Sequence, residues 1–92
     1  MRIELYTRPG CTLCDDARRL LQRVCVGREW SEIDVDSDPG LRAEYGEFVP
    51  VVEVDGERVG QWHIDETRLR AAIEGNKKRA PRRWFRRREA RN

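Results

Sequence analysis

Long apolar runs are missing from this chain of 92 residues. No stretch approaches the ~20 residues that cross a bilayer. Met1 to Thr7 also lack the basic and apolar regions of a secretory signal. The expectation is a soluble, cytoplasmic protein. Hydrophobic residues are few, 38% against 39% charged, so the core must be lean. That supply suits one compact domain built from a small sheet and a few helices better than a large sandwich. Cysteine is scarce and odd in number, three in all. An odd count argues against a secreted framework of paired bridges. In a reducing compartment a close pair is catalytic or metal-binding before it is structural. Histidine occurs once, at His63 just before a helix cap, where an exposed loop residue is expected.

The net charge of +2 conceals an asymmetry. Residues 77–92 hold nine Lys/Arg and one acid, Glu89, whereas residues 1–76 hold ten basic and sixteen acidic residues. An acidic body of −6 is thus followed by a basic tail of +8, which places a domain over residues 1–76 and a tail over 77–92.

Within the body, Arg2-Ile3-Glu4-Leu5-Tyr6 alternates and predicts a strand. Leu13, Ala17, Leu20, Leu21 and Val24 recur at helical spacing from Thr12 onward, and Gly27 is the expected helix stop. Trp30, Ile33 and Val35 mark a second strand. Asp38-Pro39 reads as a cap with proline at the first helical position, followed by the pair Leu41 and Tyr45 and a stop at Gly46. Val49-Pro50-Val51-Val52-Glu53-Val54, the turn Asp55-Gly56 and Glu57-Arg58-Val59-Gly60-Gln61-Trp62 form a hairpin. A last helix starts after the cap Asp65, with Ile64 and Leu69 as a hydrophobic staple, buries Leu69, Ala72 and Ile73, and is expected to close at Gly75. The order β-α-β-α-β-β-α makes the first two strands parallel and the last two antiparallel, an α/β fold with a mixed four-stranded sheet flanked by helices.

Cys11-Thr12-Leu13-Cys14 falls where the first strand hands over to the first helix. The string alone also occurs in zinc sites; its placement is what matters. At a helix N-terminus, unpaired N–H groups and the macrodipole favour negative charge, and a thiolate is the nucleophilic form of cysteine. Arg8 brings a positive charge close in sequence. Cys14, one turn inside, is placed to attack a mixed disulfide, and Asp15 and Asp16 oppose its ionisation more than that of Cys11. For a tetrahedral metal site the remaining ligands are Cys25 and His63. Cys25 lies eleven residues along the same helix from Cys14, roughly 16 Å away, too far to join the pair at one centre or to bridge to it. Cys25 is expected as a small buried side chain; Trp30 and Trp62 are expected to pack, with Trp62 able to border the active face.

Leu5-Tyr6-Thr7-Arg8-Pro9-Gly10-Cys11-Thr12-Leu13-Cys14-Asp15 resembles the opening of the glutaredoxin-like proteins of the thioredoxin superfamily. The similarity runs through Asp34-Val35-Asp36, Val49-Pro50-Val51 and Val54-Asp55-Gly56, over about residues 2–75. The resemblance implies the thioredoxin/glutaredoxin fold and a thiol–disulfide oxidoreductase. Its redox-active centre is Cys11 and Cys14, serving electron transport to protein or low-molecular-weight disulfides. It implies a cis-proline at Pro50 facing the pair, with Val49 offering its backbone to an extended substrate and Arg8 nearby as a binding residue. No tightly bound cofactor is implied; the reductant is a low-molecular-weight thiol or a reductase. Glutathione-using members carry Cys-Pro-Tyr-Cys, Thr-Val-Pro and a Gly-Gly pair. Here Thr12-Leu13, Phe48-Val49-Pro50 and Gly60-Gln61-Trp62 stand instead, so the reductant is left open.

Two rival functions come from other classes: an iron–sulfur or metal-carrier module using Cys11 at a dimer interface, and a nucleic-acid-associated redox sensor. The second draws on the tail, where Trp84-Phe85 lies among arginines in a polybasic stretch able to meet nucleic acid or an anionic surface. The plainer alternatives are a solubilising tail or one folded back on the acidic body.

Overall fold

The computed structural model describes residues 1–79, with side chains through Gly75. The rest of the basic tail, including Trp84-Phe85 and the partners expected of it, lies outside the described residues. The element order is β1 (Ile3–Thr7), α1 (Thr12–Val24), β2 (Ser31–Asp34), a 3-10 turn (Val35–Ser37), α2 (Pro39–Tyr45), β3 (Val51–Val54), β4 (Glu57–Gln61) and α3 (Glu66–Arg79). The sheet runs β2-β1-β3-β4. β1 is parallel to β2 and antiparallel to β3, and β3 and β4 form the hairpin. Asp55 and Gly56 both have positive φ, 52° and 85°, the geometry that matches the right-handed twist of a two-residue hairpin.

Alternation along β1 sends Ile3 and Leu5 to one face and Tyr6 to the other. The first face packs with Ala17, Leu20 and Leu21 of α1, Val52 and Val54 of β3, and Leu69 and Ile73 of α3. Tyr6 joins Val35, Tyr45 and Val51 under α2. Tyr6 is paired with Val51 in the β1–β3 register. The end of β1, the start of α1 and the segment entering β3 therefore meet at one end of the sheet.

Four details differ from the expectations. Val35 closes β2 from within a 3-10 turn, its side chain fully buried, because the Asp34 carboxylate accepts the Asp36 N–H at 2.8 Å and bends the chain. α1 stops at Val24 with Cys25 as its cap, and Gly27 follows two residues on at φ 80°. α3 continues through Gly75 to Arg79. A glycine inside a helix costs only about 1 kcal/mol, too little to end it. The residue 76/77 boundary thus falls inside a helix. Trp62 does not pack in the core: it is 48% exposed.

Candidate active site

Gly10, at φ 75°, turns the chain out of β1. Cys11 follows in extended backbone as the N-cap of α1. Its sulfur does what a serine or aspartate oxygen does at other helix starts: it accepts the Cys14 N–H, at 3.1 Å. The cap draws the two cysteines together within one turn. Both are free thiols, Cys11 half-buried and Cys14 fully buried. Burial is the main reason the Cys14 thiol is pushed up to about 12, and its hydrogen bond with Cys11 adds to this. Opposing them are the backbone N–H of Arg8 and the positive charge of Arg18.

Arg8 takes a different part from the one its sequence position suggests. Its guanidinium meets Asp36 at 3.2 Å and the Gly46 carbonyl at 3.3 Å, joining the site loop to the two ends of the α2 region. What it contributes at the cysteines is its main chain.

The Val49–Pro50 bond is cis, as the resemblance implies. Pro50 is buried and Val49 half-buried, and pairing of β3 with β1 begins only at Val51. Trp62 braces this segment. Its N–H donates to the Pro50 carbonyl at 2.9 Å and its indole Nε1–H to the Glu47 carbonyl at 3.1 Å. The ring lies tilted on Phe48, 6.1 Å between centroids. Trp62 holds φ 62°, a conformation bulky residues seldom adopt, and these contacts are what hold it there. Beside it a groove of about 270 Å³ runs between α1 and the β4–α3 loop, lined by Leu13, Ala17, Leu20, Trp62, His63 and Ile64. His63 is exposed, as expected. Gly60 leaves room for the groove wall, since a Cβ there would lie 3.3 Å from Ile64 Cδ1.

Cys25 sits in the aliphatic core at the other end of α1, its thiol pushed up by burial. The structure therefore brings Cys11 and Cys14 together and leaves Cys25 apart. Among the described residues no group of three or more His, Cys, Asp or Glu could hold a metal ion, and no helix is long and apolar enough to cross a membrane. Sequence reading gave Arg18 no part in the site. Its position four residues after Cys14 was the available signal.

Residues 2–74 match the family described as Glutaredoxin-like domain (DUF836). An uncharacterized protein of Mycobacterium tuberculosis is 42% identical over 79 residues, covering 78% of this chain and 81% of the relative. Among solved structures, a structural-genomics target protein from X. campestris superposes with a TM-score of 0.68 at 32% identity, covering 79% of this chain and 96% of that one. The NrdH-redoxin of Escherichia coli, described as glutaredoxin-like with a thioredoxin-like activity profile, gives 0.57 at 31% identity, covering 75% and 95%. With the fold, the cysteine turn and these matches in agreement, the chain belongs to the glutaredoxin-like proteins of the thioredoxin superfamily, and its Cys11-x-x-Cys14 pair serves a thiol redox role.

Proposed function

We propose that this protein is a dithiol thiol–disulfide oxidoreductase that reduces disulfides of protein substrates, and small disulfides as surrogates, in a reducing compartment such as the cytoplasm. The observation that carries the reading is the contrast inside one helical turn: Cys11 is reachable from solvent at the cap, while Cys14 is fully buried with a thiol at about 12. A reachable sulfur attacks first; a buried, protonated one waits. The Cys11 thiolate attacks one sulfur of the substrate disulfide, forming a mixed disulfide and expelling the first substrate thiolate. Cys14 then gives up its proton to water and attacks Cys11 Sγ. The Cys11–Cys14 disulfide forms and the second substrate thiolate leaves. Two electrons pass from the dithiol to the substrate, so no tightly bound cofactor is needed. An external thiol or reductase returns the pair to the dithiol.

The substrate lies along the Val49-Pro50 segment, where Val49 stands outside the sheet ladder and offers its backbone to an extended chain. Arg8 anchors the adjacent loop through Asp36. The reductant is a protein dithiol rather than glutathione. In support, Trp62 occupies the place where glutathione-using members have a glycine pair, fixed there by one backbone and one indole hydrogen bond. The activity profile stated for the similar NrdH-redoxin points the same way.

Turnover on a protein disulfide, with thioredoxin reductase, glutathione and mycothiol compared as electron sources, tests the reading. Turnover with the reductase alone is expected. Cys11→Ser should abolish it, and Cys14→Ser should accumulate a covalent substrate adduct on Cys11 visible by mass spectrometry. An adduct that forms on Cys14 when Cys11 is replaced would reverse the two roles; efficient turnover with glutathione would overturn the choice of reductant.

A further inference from the structure

The resolving step poses a physical problem: a fully buried thiol must ionise to act. α1 carries Arg18 one turn beyond Cys14, on the same side of the helix. This arginine is held by three hydrogen bonds to two carboxylates. Its Nε and one terminal nitrogen donate to the two oxygens of Glu32 on β2, at 2.8 and 2.6 Å, a two-pronged geometry that fixes a guanidinium in place. Its other terminal nitrogen donates to Asp15 at 2.7 Å. Glu32 is itself positioned by the hydroxyl of buried Thr7, at 3.0 Å, at the end of β1. The chain Thr7, Glu32, Arg18 thus ties β1 and β2 to the first turns of α1.

We propose that Arg18 is a positioning residue for the resolving step: held by Glu32 and Asp15, its fixed positive charge stabilises the Cys14 thiolate as it forms beneath the mixed disulfide. This rests on the functional reading above. The other groups around Cys14 do not supply such a charge. Cys11 is itself a thiol, Asp15 is negative and engaged by Arg18, and the side chain of Arg8 is taken up by Asp36 and Gly46. β1 offers the neutral Thr7 and, just after it, the Arg8 N–H. On α3, Glu66 is bound to Arg23, nine residues farther along α1. Four residues after Cys14 and on the same side of α1, Arg18 is the cation that the helix itself supplies to that thiol.

The experiment uses the full chain and 5,5′-dithiobis(2-nitrobenzoate), whose aryl thiolate is coloured. Attack by Cys11 releases a first equivalent; attack of Cys14 on Cys11 Sγ releases the second. Cys14→Ser should leave only the first. If the second persists in that variant, the dithiol reading fails, independently of Arg18. Arg18→Gln should leave the first phase unchanged and slow the second roughly three- to tenfold, displacing its pH profile upward by up to about one unit, as expected for loss of a partly screened charge. Arg18→Lys should restore most of the rate. Glu32→Gln loosens the clamp but keeps the cation on α1, so it should lower the melting temperature as Arg18→Gln does while slowing the second phase clearly less. Equal slowing by Arg18→Gln and Glu32→Gln would show that the pair acts only as scaffold and overturn the proposal. An unshifted pH profile in Arg18→Gln would overturn it as well.

Discussion

The two faces of the sheet solve the same packing problem with different chemistry. Toward α1 and α3 the core is aliphatic: Leu5, Leu20, Leu21, Val52, Leu69 and Ile73 fill it, and the one ionisable group among its buried residues is the thiol of Cys25. Toward α2 the cover is a single helix of seven residues. There the rings of Tyr6 and Tyr45 stack at 4.1 Å, and Arg58 lies 5.5 Å over Tyr45 and 5.6 Å over Phe48. The Tyr45 hydroxyl donates to Glu53 at 2.8 Å, and Glu4 takes Arg2 at 3.5 Å. Glu4 and Glu53 face each other across β1 and β3, a like-charge pairing that is unfavourable alone; the tyrosine and arginine partners offset it. A short helix cannot close a sheet face with aliphatics, so wide rings with a polar rim finish it. The aliphatic face titrates only through the Cys25 thiol; the aromatic face carries two buried hydroxyls among carboxylates.

Four measurements sharpen this contrast. The largest effect belongs to the aliphatic face. Leu21 is fully buried, and Leu21→Ala should cost about 2–5 kcal/mol of unfolding free energy in denaturant titration, by the same amount at every pH. A loss that varied with pH would break the distinction. Next, Tyr45→Phe removes a donor to a half-buried carboxylate and should cost about 1–2 kcal/mol at pH 7.

A third effect separates the faces by pH. Burial raises the Tyr6 hydroxyl, and burial followed by the bond to Glu53 raises that of Tyr45; burial also raises the thiols of Cys14 and Cys25. The folded chain keeps these protons where the unfolded chain releases them. Stability is therefore full below the ordinary values and falls as pH rises, first beyond the thiol range near about 8.5 and more steeply past about 10. Tyr45→Phe should flatten the upper part of the fall, and Leu21→Ala should leave its shape unchanged. The smallest effect is in acid. Glu32 is held low by its hydrogen bond with Arg18, so its contribution is present above the ordinary carboxylate range and lost as pH falls through the lower, folded value. In Arg18→Gln this part of the acid slope should vanish from pH-dependent melting curves.

Much of this was readable residue by residue. The alternation of Ile3 and Leu5, the stripe from Leu13 to Val24 and the pair Asp55-Gly56 predicted their elements because period and turn chemistry are local properties. The cysteine turn was readable for the same reason: four consecutive residues at a strand-to-helix junction. Gly75 misled because a weak local penalty does not decide where a helix ends. Trp62 packs on Phe48 and borders the groove beside the cysteine helix, as its expected place at the active face implied. That it stays half-exposed is decided by two hydrogen bonds to the segment around Pro50.

The sequence by itself determined the strand and helix order, the mixed sheet and the identity of the reactive pair, since each follows from spacing along the chain. Only the tertiary structure decided where the charged side chains around that pair go. Arg8, three residues before Cys11, spends its guanidinium on Asp36, twenty-eight residues away, while Arg18, four residues after Cys14, is held by Glu32 from a neighbouring strand. Charged side chains are long and choose partners across the fold, and the parallel register of β1 and β2, fixed by packing, is what brings those partners within reach.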